Sequence, residues 1–214
     1  MKKQINMQNP LILSAAAVLF TLLVRFVNVQ LIGPQESKVG LAALNGTFAK
    51  LIGVHKSFYV LTEVLGIIAV LTAVFFAAVG LMQLIKRKDL RKVDAKIWVQ
   101  GGFYVVLILV YLFFEVVVIN YRPVLEDGKL AASYPSSHTL AAICLFGAAI
   151  PLYRYYIRNK ALLSAAVIGS AACLIVTVLG RILSGYHWLT DILGGVLIAA
   201  ALLSWLEYAR NRFT

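Results

Sequence analysis

Charge is what this sequence has least of. Only 14% of its 214 residues are Asp, Glu, Lys or Arg, while 61% are apolar and the mean hydropathy is +0.87, far from the balance of an ordinary soluble domain. Water is therefore excluded as its main solvent. Acid is scarcer still, with 9 Asp and Glu against 20 Lys and Arg and a net charge of +11. A surplus of that size can mark a nucleic-acid surface. Here the basic residues fall in short clusters between apolar runs, which is a topology signal, and no nucleic-acid partner is expected. The 2 cysteines, Cys144 and Cys173, both lie inside apolar runs, where a thiol behaves as a small hydrophobe, so no disulfide is expected. Internal repeats, low-complexity tracts and linkers are also missing, which leaves no room for a separate soluble domain. No small-residue cleavage pattern follows the first apolar run, so it reads as a retained helix.

What is present is a series of apolar segments: Pro10–Val29, Phe58–Ile85, Ile97–Ile119, His138–Tyr153, Leu162–Leu179 and Asp191–Tyr208. Each is near the ~20 residues that cross a hydrocarbon layer of ~30 Å. The expected fold class is all-α: a polytopic six-helix transmembrane bundle, one domain over residues 1–214. An even number of spans puts both termini on one side. Lys2 and Lys3 share that side with the cluster from Lys86 to Lys96, with Arg154, Arg158 and Lys160, and with Arg210 and Arg212. By the positive-inside rule the termini are expected to be cytoplasmic. Arg25, inside the first span, is expected to snorkel or pair. The first outer loop has a Gly33-Pro34 break, then Leu41, Leu44, Phe48, Leu51 and Ile52 at helical spacing. That pattern predicts an interfacial helix that either caps the bundle or gates lipid access.

Polar residues cluster three times, each at an outer-side helix end: Glu115 to Pro123, Pro135 to His138, and Arg181 to Asp191. Up-and-down topology returns all three to one membrane face. The residue types suit phosphoryl transfer through a phosphohistidine. Arg122 and Arg181 can grip phosphate oxygens with paired, charge-assisted hydrogen bonds that lysine cannot supply. Ser136, the backbone near Ser137 and the N-terminus of the fourth span add donors and a favourable dipole. His187 and Asp191 stand four apart. An aspartate accepting one ring N–H leaves the other nitrogen free to attack phosphorus, and His138 is placed to protonate the leaving oxygen. The arginines supply the positive charge, so neither metal nor cofactor is expected. His55 reads as an interfacial hydrogen-bonding residue, and Tyr186 and Trp188 as interface-belt aromatics.

Arg122-Pro123, then Pro135-Ser136-Ser137-His138, then Arg181, His187 and Asp191 together resemble the type-2 phosphatidic acid phosphatase superfamily. That family's motifs are Lys-x6-Arg-Pro, Pro-Ser-Gly-His and Ser-Arg-x5-His-x3-Asp. The resemblance implies metal-independent removal of phosphate from a lipid mono- or diphosphate at the extracytoplasmic ends of spans three to six, in a bacterial plasma membrane. It implies His187 as nucleophile, His138 as general acid, Asp191 as the partner of His187, and Arg122, Ser136 and Arg181 as phosphate ligands, with Ser137 lending a backbone donor. Three positions depart from the pattern. Glu115 stands where the family has lysine, Ser137 replaces glycine, and Gly180 replaces serine. Glu115 is expected either to pair with Arg122 or Arg181 or to meet a cation that the substrate brings, and Lys129 is a candidate replacement for the missing positive charge. The substrate classes are polyprenyl pyrophosphate, phosphatidate and phosphatidylglycerophosphate. Transfer of phosphate to a second lipid, and phospholipid binding without turnover, are the alternatives.

Overall fold

In the computed structural model, which describes residues 7–214, every predicted span is a helix. They are α1 (Gln8–Phe26), α3 (Lys56–Arg87), α4 (Ala95–Val116), α5 (Ser137–Tyr156), α6 (Lys160–Ser184) and α7 (Leu189–Phe213), with a shorter α2 (Ala42–Ile52) between the first two. All six long helices are apolar enough to cross a membrane, and the chain is an all-helical integral membrane protein. Lys2 and Lys3 lie outside the described residues.

Helices α5 and α7 form the centre. Half of the apolar 18-residue stretch of each is buried within the protein, 50% against 11% for α3 and α6. The sequence explains why: Ala142, Ala148 and Ala149 on α5 and Gly194, Gly195 and Ala199 on α7 are small and buried, so the backbones approach closely, as lipid-embedded helices require. Around this pair, α3 and α6 pack on α5, and α1 and α4 pack on α7. The outer surfaces carry exposed large apolar residues such as Ile67, Leu71, Ile108 and Ile168, suited to hydrocarbon.

The two ends of the bundle differ. At one, Arg87 pairs with Asp94 at 2.8 Å, Tyr156 donates to Asp94 at 2.7 Å, and the Lys96 ammonium sits 4.9 Å from the Tyr155 ring centre. This end gathers the basic clusters from Lys86 onward. At the opposite end lie all three polar motif clusters, brought together as the topology predicts. Arg25, at the last turn of α1, reaches that end and donates to the Val118 carbonyl at 3.2 Å.

The predicted interfacial helix is α2, and its buried face settles how it is held. Asn45, fully buried, donates to Gly40 O at 2.8 Å and to Thr190 Oγ1 at 2.9 Å, and accepts from the Thr190 N–H at 3.2 Å. It thus caps the first turn of α7, while Leu44 and Leu51 stay exposed. Asn45→Ala strands several buried polar groups. It is expected to lower stability by about 1–3 kcal/mol, read as an earlier thermal unfolding transition in detergent.

Candidate functional site

The loop between α4 and α5 carries the first motif. Arg122 N–H bonds to Ala131 O at 3.0 Å and Ser133 N–H to Asn120 O at 2.9 Å, so the loop doubles back on itself. The reversal comes at Asp127 and Gly128, which have positive φ of 48° and 76°, a geometry these residues tolerate. Tyr134 anchors the return arm beneath α7. Its buried ring occupies the space that a side chain at Gly194 would fill, with ring carbon Cε2 at 2.3 Å from that hypothetical Cβ, and its hydroxyl meets Thr21 Oγ1 at 2.7 Å. Burial pushes the Tyr134 phenol up to about 12, so it remains neutral.

His187 lies in the short loop before α7, held by its neighbours. The preceding Gly185 has φ +70°, and a Cβ there would come 1.8 Å from the Gly53 carbonyl oxygen, so the loop passes the start of α3 only as glycine. The following Trp188 is buried, with its indole N–H on Tyr121 O at 2.7 Å. It is therefore a strut between the first and third motifs and not an interface-belt residue. Tyr186 stacks on Tyr59 at 4.2 Å between centroids. His55, exposed, bonds to Ile52 O at 2.9 Å.

The contact between His187 and Asp191 differs from the direct hydrogen bond expected. Asp191 Oδ2 stands 3.7 Å from His187 Nδ1, and Ser133 bridges them. Its Oγ lies 3.1 Å from Nδ1 and donates to Asp191 Oδ2 at 2.5 Å. Asp191 also accepts from the Trp188 N–H at 2.9 Å and from Asn120 Nδ2 at 3.3 Å. The reason is local: Asp191 is in the first turn of α7, where its carboxylate turns back to cap the helix, and the imidazole sits just outside. The relay fixes the tautomer. A hydroxyl has one proton, and Ser133 gives its proton to the carboxylate. Its oxygen must then accept from Nδ1–H, which leaves the lone pair on Nε2. That nitrogen is buried and has no hydrogen-bond partner among the described residues. Burial, aided by the charges of Arg122 and Arg181, holds the imidazole below its ordinary range despite Asp191.

Arg181, in the last turn of α6, is fully buried. Its Nη2 donates to Glu63 Oε1 at 2.5 Å and its guanidinium carbon lies 4.9 Å from the Tyr59 ring centre, while Nε and Nη1 are buried without partners. Gly180 has its own cause: a Cβ there would meet Thr62 Cγ2 at 2.6 Å, so the serine of the family pattern does not fit against α3. Arg122 pairs with Glu126 and donates from Nε to Ala132 O at 3.3 Å. Neither arginine pairs with Glu115, Arg122 being taken by Glu126 and Arg181 by Glu63, so the first of the two alternatives for Glu115 is not met. Glu115 is exposed at the end of α4 and lines a narrow cleft with Ser133, Ser137 and His187. Lys129, one turn residue beyond Gly128, is exposed.

Ser136 caps α5, its Oγ accepting from the Thr139 N–H at 3.5 Å while its own N–H bonds to Asp191 O at 2.9 Å. His138 follows in the first turn, with Nε2 at 3.3 Å from Glu63 Oε2. A groove of about 520 Å³ runs from this point between α3, α4 and α5, with Glu63, Ser137 and His138 at its polar head and Ile67, Val70 and Leu107 along its apolar length.

Two residues of this cluster lie outside the sequence expectation. Glu63 comes from the second span, not from spans three to six, and its signal was available as the lone charge in the apolar run Phe58–Ile85, a costly placement. Ser133 gave no comparable signal.

Residues 119–214 match the family model of the PAP2 superfamily. Over that stretch the chain is similar to this superfamily. A similar fold extends over the whole molecule: the crystal structure of the first transmembrane PAP2 type phosphatidylglycerolphosphate phosphatase from Bacillus subtilis aligns with 97% of this chain and 98% of its own, at a TM-score of 0.58 and 17% identity. No curated protein sequence matches this chain.

Proposed function

We propose that this protein is a metal-independent lipid phosphatase that works through a phosphohistidine on His187. The observation that carries the reading is the buried His187 Nε2, unpartnered among the described residues and left with its lone pair free by the Ser133–Asp191 relay. In the reaction Nε2 attacks phosphorus as the bond to the leaving oxygen breaks, and His138 gives that oxygen its proton. Water then attacks the phosphohistidine, giving a proton back to His138, and the P–N bond breaks to release inorganic phosphate. Arg181 Nε and Nη1 and the Arg122 guanidinium would hold the non-bridging oxygens, whose charge grows in the transition state. Ser136 and the N-terminus of α5 add a favourable field.

The groove supports a lipid substrate, because its polar head adjoins His138 and its apolar length can take an acyl or prenyl chain. Phosphatidylglycerophosphate, the substrate class named for the structural neighbour, joins phosphatidate and polyprenyl pyrophosphate as the classes to compare. We place the site at the extracytoplasmic face, opposite the basic end of the bundle, in a bacterial plasma membrane.

Detergent-purified protein is expected to release phosphate from at least one of these three lipids in the presence of chelator. Well-folded protein that releases none, or releases it only with added divalent cation, contradicts the reading. The pH dependence follows from His187. The nucleophile must be neutral, and burial lowers its pKa below the ordinary 6.5, so kcat/KM should hold through pH 6.5 and fall only on further acidification. An acid limb centred above pH 6.5 would contradict this assignment.

A further inference from the structure

Glu63 meets the cluster at Arg181 and His138 and not at the His187 relay, and nothing in the three motifs accounts for it. One of its carboxylate oxygens takes Arg181 Nη2 at 2.5 Å and the other stands 3.3 Å from His138 Nε2. The approach is built into the helix: a Cβ at Gly66 would come 2.8 Å from His138 Cδ2 and 3.1 Å from Nε2, so the imidazole reaches Glu63 only because position 66 has no side chain. Glu63 occupies one nitrogen of Arg181 and leaves Nε and Nη1 without partners. It also lies at the head of the apolar groove. In the reaction described above, a lipid lying in that groove brings its departing oxygen to His138.

The geometry points to Glu63 as the positioning residue for the general acid: its carboxylate, 3.3 Å from Nε2, orients the His138 imidazole at the head of the groove. This assignment rests on the phosphatase reading. Glu63 remains a carboxylate throughout. The proton that reaches the leaving oxygen is His138's own, and it is restored from the water that opens the phosphohistidine. A carboxylate that orients an imidazole is a recurrent arrangement, and here it is supplied from a helix that bears none of the three motifs.

The consequence is a dependence on leaving group. An alkoxide departs poorly without a proton, whereas a nitrophenolate needs little help. Phosphate release by Glu63→Gln should therefore fall on the order of 100-fold in kcat with phosphatidate, as for loss of general acid catalysis, with KM changed less than about threefold. With p-nitrophenyl phosphate the loss should be less than about fivefold. Glu63→Asp should recover part of the phosphatidate rate, and Gly66→Ala, which leaves the carboxylate in place but pushes His138 away, should show the same split between the two substrates. Equal losses on both substrates, or a loss confined to KM, would overturn the assignment and reduce Glu63 to a structural partner of Arg181. Wild-type protein that hydrolyses neither substrate would remove the phosphatase reading itself, and this assignment with it.

Discussion

His187→Ala protein is expected to lose phosphate release from every lipid tested, by on the order of 10⁴-fold or more, the scale seen when a covalent nucleophile is removed. The substitution takes away a nitrogen that is buried, without a partner among the described residues and backed by a relay through Ser133 to Asp191. Folding should survive, because His187 lies in a loop and Asp191 retains its bonds to Trp188, Asn120 and Ser133. Near-unchanged thermal unfolding alongside lost turnover is the expected pair of results. A residual rate within tenfold of wild type would remove His187 from the chemistry.

Arg181→Lys should be nearly as severe, at about 10²–10³ in kcat, the cost typical of one lost transition-state donor set. Lysine keeps the charge, but it cannot serve Glu63 and also present two fixed donors to phosphate. Its ammonium would settle on the carboxylate, since Arg181 is fully buried and Glu63 lies at hydrogen-bond distance. The planar stacking against Tyr59 is lost as well. The loss should appear in kcat more than in KM, with a modest fall in thermal stability; full activity in the lysine variant would show that a point charge suffices.

Much of this architecture is legible in the amino-acid pattern because membranes impose strong rules. Apolar length decides the spans, and four of the six predicted segments differ from the helices by no more than three residues at either end. The fifth and sixth each run five residues further, and the fifth, reaching Ser184, carries Arg181 into its last turn, where the guanidinium faces α3. The three motifs reach one end of the bundle because alternating spans must return them there.

What spacing does not reveal is which side chain meets which. Glu115 has the favourable address, one helix end from Arg122, yet Glu126 takes that arginine because the Asp127-Gly128 turn folds it back. Glu63 reaches Arg181 across 118 positions because small residues at Gly66 and Gly180 let α3 close on α5 and α6. Ser133 is a hydroxyl in an irregular loop, and only the fold places it between His187 and Asp191. Trp188 carries the same lesson, since an aromatic near a helix end suits a lipid interface equally well until packing buries it.

The central claim is that His187 Nε2 becomes phosphorylated. Its most direct test is to mix purified protein with ³²P-labelled lipid phosphate, quench within the first turnover under alkaline conditions, and map the label by peptide mass spectrometry. The account predicts an acid-labile, alkali-stable phosphate on the peptide containing His187, absent in His187→Ala and accumulating in protein whose dephosphorylation is slowed. Full turnover with no labelled peptide at any time, or label on a residue other than His187, would contradict it.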